Sequence, residues 1–267
     1  MPSARRTLDI FLSLGASAGL LTTPIAELQA QAQAMPHSSP MHHLAGQGGE
    51  GGEGGEGGPA AAVAVSDADI LLVLAQMQGH LLMAQELLEQ RNHQAAEPHV
   101  GHPVDELYGT LQPALQQGKI QPFLSSLEAL RQQVRLNPQD PATNGKLNQA
   151  QQAIAAAAQS LPGARAHDPL LVKTVVPQLA QTAVLEYEGA LAGDQVVEVI
   201  EYQDARGFLR QALLMVRQAM AHQPSAAIQL RPMETTLLAM LKAFPTAQPP
   251  CKAVMGLANL QQLQKQL

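Results

Sequence analysis

Six imidazole and carboxylate side chains stand where packing alone would not put them: His80, His99, His102, Glu106, Glu201 and Asp204. Successive helical residues turn by about 100°, which sorts a helix into faces. On that wheel His80 falls on the apolar line of Val73, Met83 and Leu87, opposite Gln78, Gln85, Glu86 and Glu89. Glu201 and Asp204 share the line of Val197, Phe208, Met215 and Ala219, while Gln203, Arg206, Arg210 and Arg217 form the polar face. Two carboxylates inside an apolar stripe are expensive unless paired, protonated or metal-bound. The string HQAAEPHVGHPVDELY holds a second cluster, with His99 close to His102, and Glu106 four residues beyond His102. Imidazole and carboxylate together are ligands for iron, manganese, zinc and copper, and helical bundles hold such ions on facing helices.

Each feature also has a purely structural reading. His80 can be a core histidine bonded to a carbonyl or to Gln76. His102 can cap a helix start, with Pro103 at the first helical position and Asp105 and Glu106 complementing the dipole. Glu201 and Asp204 can form a buried network with an Arg, a Tyr or a His. Glu186 and Glu188 read as helix-edge surface acids, the ten Met residues as core filler, and Cys251 as a small buried hydrophobe or inert thiol.

The elements that must position these groups are helical. Ser66 and Asp69 form a capping-box-like start to a helix reaching about Arg91. His102-Pro103 opens a second, ending near Gly118, and 120–136 and 141–160 give a third and a fourth. Asp168-Pro169 caps a fifth, to about Leu191, bent at Pro177; Gly193-Asp194 separates it from a long sixth, to about Ala221. Residues 226–243 and 251–266 complete the set, and Tyr108 and Tyr187 fall on apolar faces. No stretch shows sustained period-two alternation with β-branched residues. The expected fold is all-α, an antiparallel multi-helix bundle or stacked helical hairpins over residues 66–267.

Upstream, the chemistry is different. Arg5 and Arg6 precede an apolar run, Leu8 to Leu21, and then Ala30, Ala32 and Ala34 offer overlapping A-x-A cleavage points. Residues 1–34 therefore read as a signal peptide, with general-secretory and twin-arginine export both open, and the run is too short to span ~30 Å of hydrocarbon. No later run reaches the length of a transmembrane helix, so the processed chain is expected to be periplasmic or secreted and without a membrane span. Residues 35–65 read as a disordered tail carrying His37, His42, His43, Met35 and Met41, followed by a GGE-repeat linker. A copper or nickel site at a free Met35-Pro36-His37 terminus is spoiled by Pro36, which has no N–H to surrender.

Composition narrows the function classes. Sixteen Lys+Arg against 22 Asp+Glu, a net charge of −6, argues against a nucleic-acid partner. A single cysteine excludes an intrachain disulfide, a Cys-rich zinc site and c-type haem attachment. No nucleophile–base pair, phosphate loop or dinucleotide fingerprint is visible, so an enzyme is the weakest reading.

Three segments resemble a family of uncharacterised exported bacterial proteins with a Gly/Glu-rich stretch after the signal peptide. They are Gln78 to Leu82, Pro98 to Tyr108, and Glu201 to Phe208. The resemblance implies no activity, only that these polar residues belong together. The chain also resembles imelysin-like periplasmic proteins, helical bundles associated with iron that carry G-x-H-x-x-E. Here Gly101 and His102 are adjacent, and Asp105 stands at the Glu position.

The expected function is thus transition-metal binding by a periplasmic helical protein, with iron, copper, manganese or zinc held by His80, Glu201 and Asp204, and by His99, His102 and Glu106 as an adjoining or separate site. A non-catalytic scaffold or protein-binding module, without metal, is the alternative. The processing reading has its own test: intact mass of the exported protein should place its first residue near Met35, and a mass retaining Leu8–Leu21 overturns it.

Overall fold

The computed structural model describes residues 65–161 and 166–267. The segments read as a signal peptide and as the tail and linker lie outside the described residues, apart from Val65. What is described is an all-α bundle. Its helices are α1 (Asp67–Glu89), α2 (His93–His102), α3 (Gln112–Gln116), α4 (Leu124–Leu136), α5 (Ala142–Gln159), α6 (Pro169–Ala190), α7 (Val199–His222), α8 (Ala227–Met240) and α9 (Leu257–Gln264). None of them is long and apolar enough to cross a membrane.

Helix α1 runs through the middle, touched by α2, α5, α6 and α7. That position explains its burial on nearly all sides, from Ile70 and Leu74 to Met83 and Leu87. The Ser66–Asp69 capping box is formed at its start, each side chain taking the other residue's backbone N–H. At its end Arg91 takes a left-handed conformation, φ 59°, and Asn92 N–H reaches back to the Leu87 carbonyl at 2.8 Å. This is a Schellman stop, with Arg91 where glycine is usual.

The stop is so tight that Asn92 caps the next helix, its side-chain oxygen accepting from Ala95 N–H at 3.3 Å. The second helix therefore starts at His93, not at the expected His102-Pro103. Pro98 lies inside α2, and the chain continues through Pro103 as a π turn, Pro103–Leu107, and a 3₁₀ turn, Tyr108–Leu111, before α3. A proline lacks the N–H that an α-helix would use, and wider and tighter turns absorb the mismatch. His102 is thus the last residue of a helix rather than its cap.

Helix α6 opens on the expected Asp168 cap and passes through Pro177. Between α6 and α7 lies a two-stranded hairpin that the periodicity misses: β1 (Leu191–Ala192) pairs β2 (Gln195–Val196) around Gly193, φ 66°. Strands of two residues are too short to show alternation. Lys252 bridges to Gln195, next to Cys251, which is exposed rather than buried. Tyr108 and Tyr187 are buried as expected.

The crossing of α1 and α7 is set by two glycines. A Cβ on Gly207 would lie 2.5 Å from the Gly79 carbonyl oxygen and 2.8 Å from Met83 Cγ; one on Gly79 would lie 2.7 Å from Phe208 Cδ1. The helices touch backbone to backbone there, one residue from His80 and three from Asp204. Gly207→Ala should therefore lower stability by about 1–3 kcal/mol, because backbone cannot yield as a side-chain tip does. Gly145→Ala in α5, where an added Cβ meets nothing within 4 Å, should raise it by about 0.5–1 kcal/mol. Chemical denaturation of both variants checks the pair; equal effects of the same sign defeat the argument.

Candidate metal centre

Four side chains from three helices meet beside that crossing. Helix α1 supplies His80, α2 supplies His99 and His102 on one face, and α7 supplies Asp204. His80 Nδ1 and His99 Nδ1 stand 2.7 and 2.8 Å from Asp204 Oδ1, and His102 Nδ1 stands 3.3 Å from Oδ2. Donor atoms of all four lie within 4.8 Å of one another, a spacing at which the group could hold a metal ion. His99 is fully buried, and His80 and Asp204 are 4% exposed. Only the His102 side chain, 23% exposed, opens toward solvent. Phe208 closes one wall, its ring edge-on to His80 at 4.9 Å between centroids.

The helical wheel puts Gln203 on the polar face of α7. Instead it is 1% exposed, because α2 lies on one side of it and the chain after α8 on the other. Its Oε1 faces His99 Nε2 at 2.8 Å, and its Nε2 donates to the Ala247 carbonyl at 3.1 Å. Arg206 does turn away from Asp204. It pairs with Glu86, as does Arg210, and also donates to the Phe244 carbonyl.

Two expected ligands do not join the four. Glu106 is exposed, its Oε1 3.9 Å from His102 Nε2. Glu201 is half-buried on the α6 side of α7, where a Cβ on Gly189 would lie 3.8 Å from its Cγ. A step of three residues turns a helix by about 60° from a shared line, enough to aim Asp204 at the histidines and Glu201 beside them. Conversely, Glu186 of α6 is not the surface acid expected. It is half-buried, and its field links it to Asp204, Glu201, Glu106 and His102. Its place four residues before Ala190 on a helix flanked by buried Tyr187 carries no polar signature of its own.

Electrostatics follow from burial and mutual charge. Burial alone would raise the Asp204 pKa, but His80, His99 and His102 outweigh it and hold the carboxyl well below its ordinary range. Burial lowers the His80 pKa, against the pull of Asp204. For His102 burial also acts downward, yet the hydrogen bond and charge of Asp204, with Glu106 and Glu186, carry the pKa to about 9. Burial and then the charges of Asp204, Glu201 and Glu106 push Glu186 up to about 8.

Residues 162–267 match the family model of an iron permease-associated 4-helix bundle domain. The matched part includes Glu186, Gln203 and Asp204, whereas His80, His99 and His102 precede it. No curated protein and no solved structure matches the chain.

The raised pKa values of Glu186 and His102 bear on the pH dependence of the metal-free protein between about 6.5 and 9. Glu186 binds its proton more tightly folded than unfolded, so folding weakens as pH rises from about 4.5 to about 8. His102 acts likewise: its contribution is full below about 6.5 and is lost by about 9. The thermal midpoint of chelator-treated protein should fall from pH 6.5 to 9, and Glu186→Gln should flatten the lower part of that fall. A midpoint rising over this range contradicts the assignment.

Proposed function

We propose that this chain is an exported helical protein that holds one divalent first-row transition ion, with iron as the native metal, through His80, His99, His102 and Asp204. The observation that carries the reading is three imidazole Nδ1 atoms turned onto one buried carboxylate. Three neutral imidazoles and a carboxylate are a borderline donor set, suited to iron, manganese, zinc or copper but not to calcium. Iron is favoured by the description of the domain that α6 to α9 resemble. Export is favoured by the basic, apolar and small-residue order of residues 1–34. A bound ion also resolves a conflict in the core. The carboxylate is costly to bury, and the histidines that offset its charge must themselves be desolvated.

Metal analysis of untagged full-length protein, purified from cells and again after anaerobic reloading with ferrous iron, tests the reading. Roughly one ion per chain is expected, and Asp204→Asn or His99→Ala should bring the content near zero with the chain still helical. Wild-type protein that stays free of metal after reloading overturns it and leaves a buried hydrogen-bond network of purely structural value.

A further inference from the structure

Gln203 touches both the ligand cluster and a distant stretch of backbone, and its own chemistry decides what it does to each. An amide has one acceptor oxygen and one donor nitrogen. The nitrogen donates to the Ala247 carbonyl at 3.1 Å, a buried acceptor that only a donor can face. The oxygen is thereby committed to His99 Nε2, 2.8 Å away. The reverse orientation would set two oxygens against each other at Ala247. An oxygen facing Nε2 requires a proton on Nε2, which leaves Nδ1 as the nitrogen that could offer a lone pair to an ion. Nδ1 is the atom turned toward Asp204, where it donates to the carboxylate, and a bound ion would take the place of that proton.

The other end of this relay is a strap without regular secondary structure, residues 244–248. Three side chains of α7 hold it: Arg206 donates to the Phe244 carbonyl, Tyr202 to Thr246 at 3.2 Å, and Gln203 to Ala247. Of these, Gln203 alone also bonds a residue of the cluster.

We propose, resting on the metal-binding reading above, that Gln203 is a positioning residue that selects Nδ1 of His99 as the ligand atom and couples the occupied centre to the strap at 244–248. An ion pulling on Nδ1 polarises the Nε2–H bond, which strengthens the hydrogen bond to Gln203 and, through the amide, the bond to Ala247. Occupancy is then read at the strap, far along the chain from the histidines.

The experiment uses the full chain and two probes, Fe²⁺ under anaerobic conditions and Zn²⁺, with affinity and backbone hydrogen exchange measured together. In the wild type, saturation with either ion should slow exchange at 244–248. Gln203→Met, of similar length but with neither bond, should weaken both ions by roughly 10–100-fold and abolish the slowing. Gln203→Glu keeps an acceptor for His99, so it should bind within about threefold of wild type, unlike Gln203→Met. Tyr202→Phe, which loosens the strap without touching His99, should exchange faster at 244–248 yet keep its affinity and its response to metal. Should Gln203→Met fail to fold, Gln203→Glu carries the test, and its weakening by tenfold or more overturns the positioning role. So does a folded Gln203→Met that binds as wild type does. Wild-type protein that binds metal with no change at 244–248 overturns the coupling. Wild-type protein that binds neither ion overturns the metal reading itself, a result distinct from all of these.

Discussion

A single buried carboxylate constrains the centre of this molecule. Asp204 is almost wholly removed from water, and an isolated charge there would cost several kcal/mol even after relaxation. Its partners must therefore come close, and they come from two other helices. Closeness is possible because Gly79 and Gly207 let α1 and α7 meet backbone to backbone. The glycines are thus as much a part of the site as the histidines. A Cβ at 207 would press on the Gly79 carbonyl and on Met83, next to His80 in α1.

The same helix shows how environment, not residue type, ranks its charges. Asp204 and Glu201 sit three apart in one sequence segment. One is enclosed by imidazoles; the other stands half-buried on the α6 side, where it helps keep the proton on Glu186. Arg206 and Arg210 meet Glu86 in a half-buried cluster of their own. By contrast Lys252 and Asp194 pair in the open at 3.0 Å, and a pair so exposed contributes about 0–1 kcal/mol. The organising electrostatics lie inside.

How much of this was legible in the chain follows the range of each signal. Helical period, the Ser66–Asp69 box and the Asp168 cap are local, and all three appear in the structure. The burial of His80 and Asp204 follows from a wheel, which is also local. Helix α2 was misplaced because Pro98 and Pro103 read as boundaries, and nothing local says that a chain will bridge a proline with a π turn. Gln203 was misread for a different reason. A wheel divides one helix into wet and dry, whereas α7 is covered on a second side by residues 244–248, which lie some 40 positions later. Glu186 was missed because its environment is made by other helices' charges.

The distribution of the four cluster residues along the chain bears on how the cluster assembles. His99 and His102 are neighbours on one short helix, but His80 and Asp204 are 124 residues apart. The part that matches the iron permease-associated domain holds the carboxylate without the imidazoles. Neither half holds all four residues, so the cluster exists only when α1 and α2 are packed on α7. Were an ion held by residues that meet only in the folded chain, its binding free energy would contribute to folding. The close crossing at Gly79 and Gly207 is one of the contacts that join those two parts of the chain.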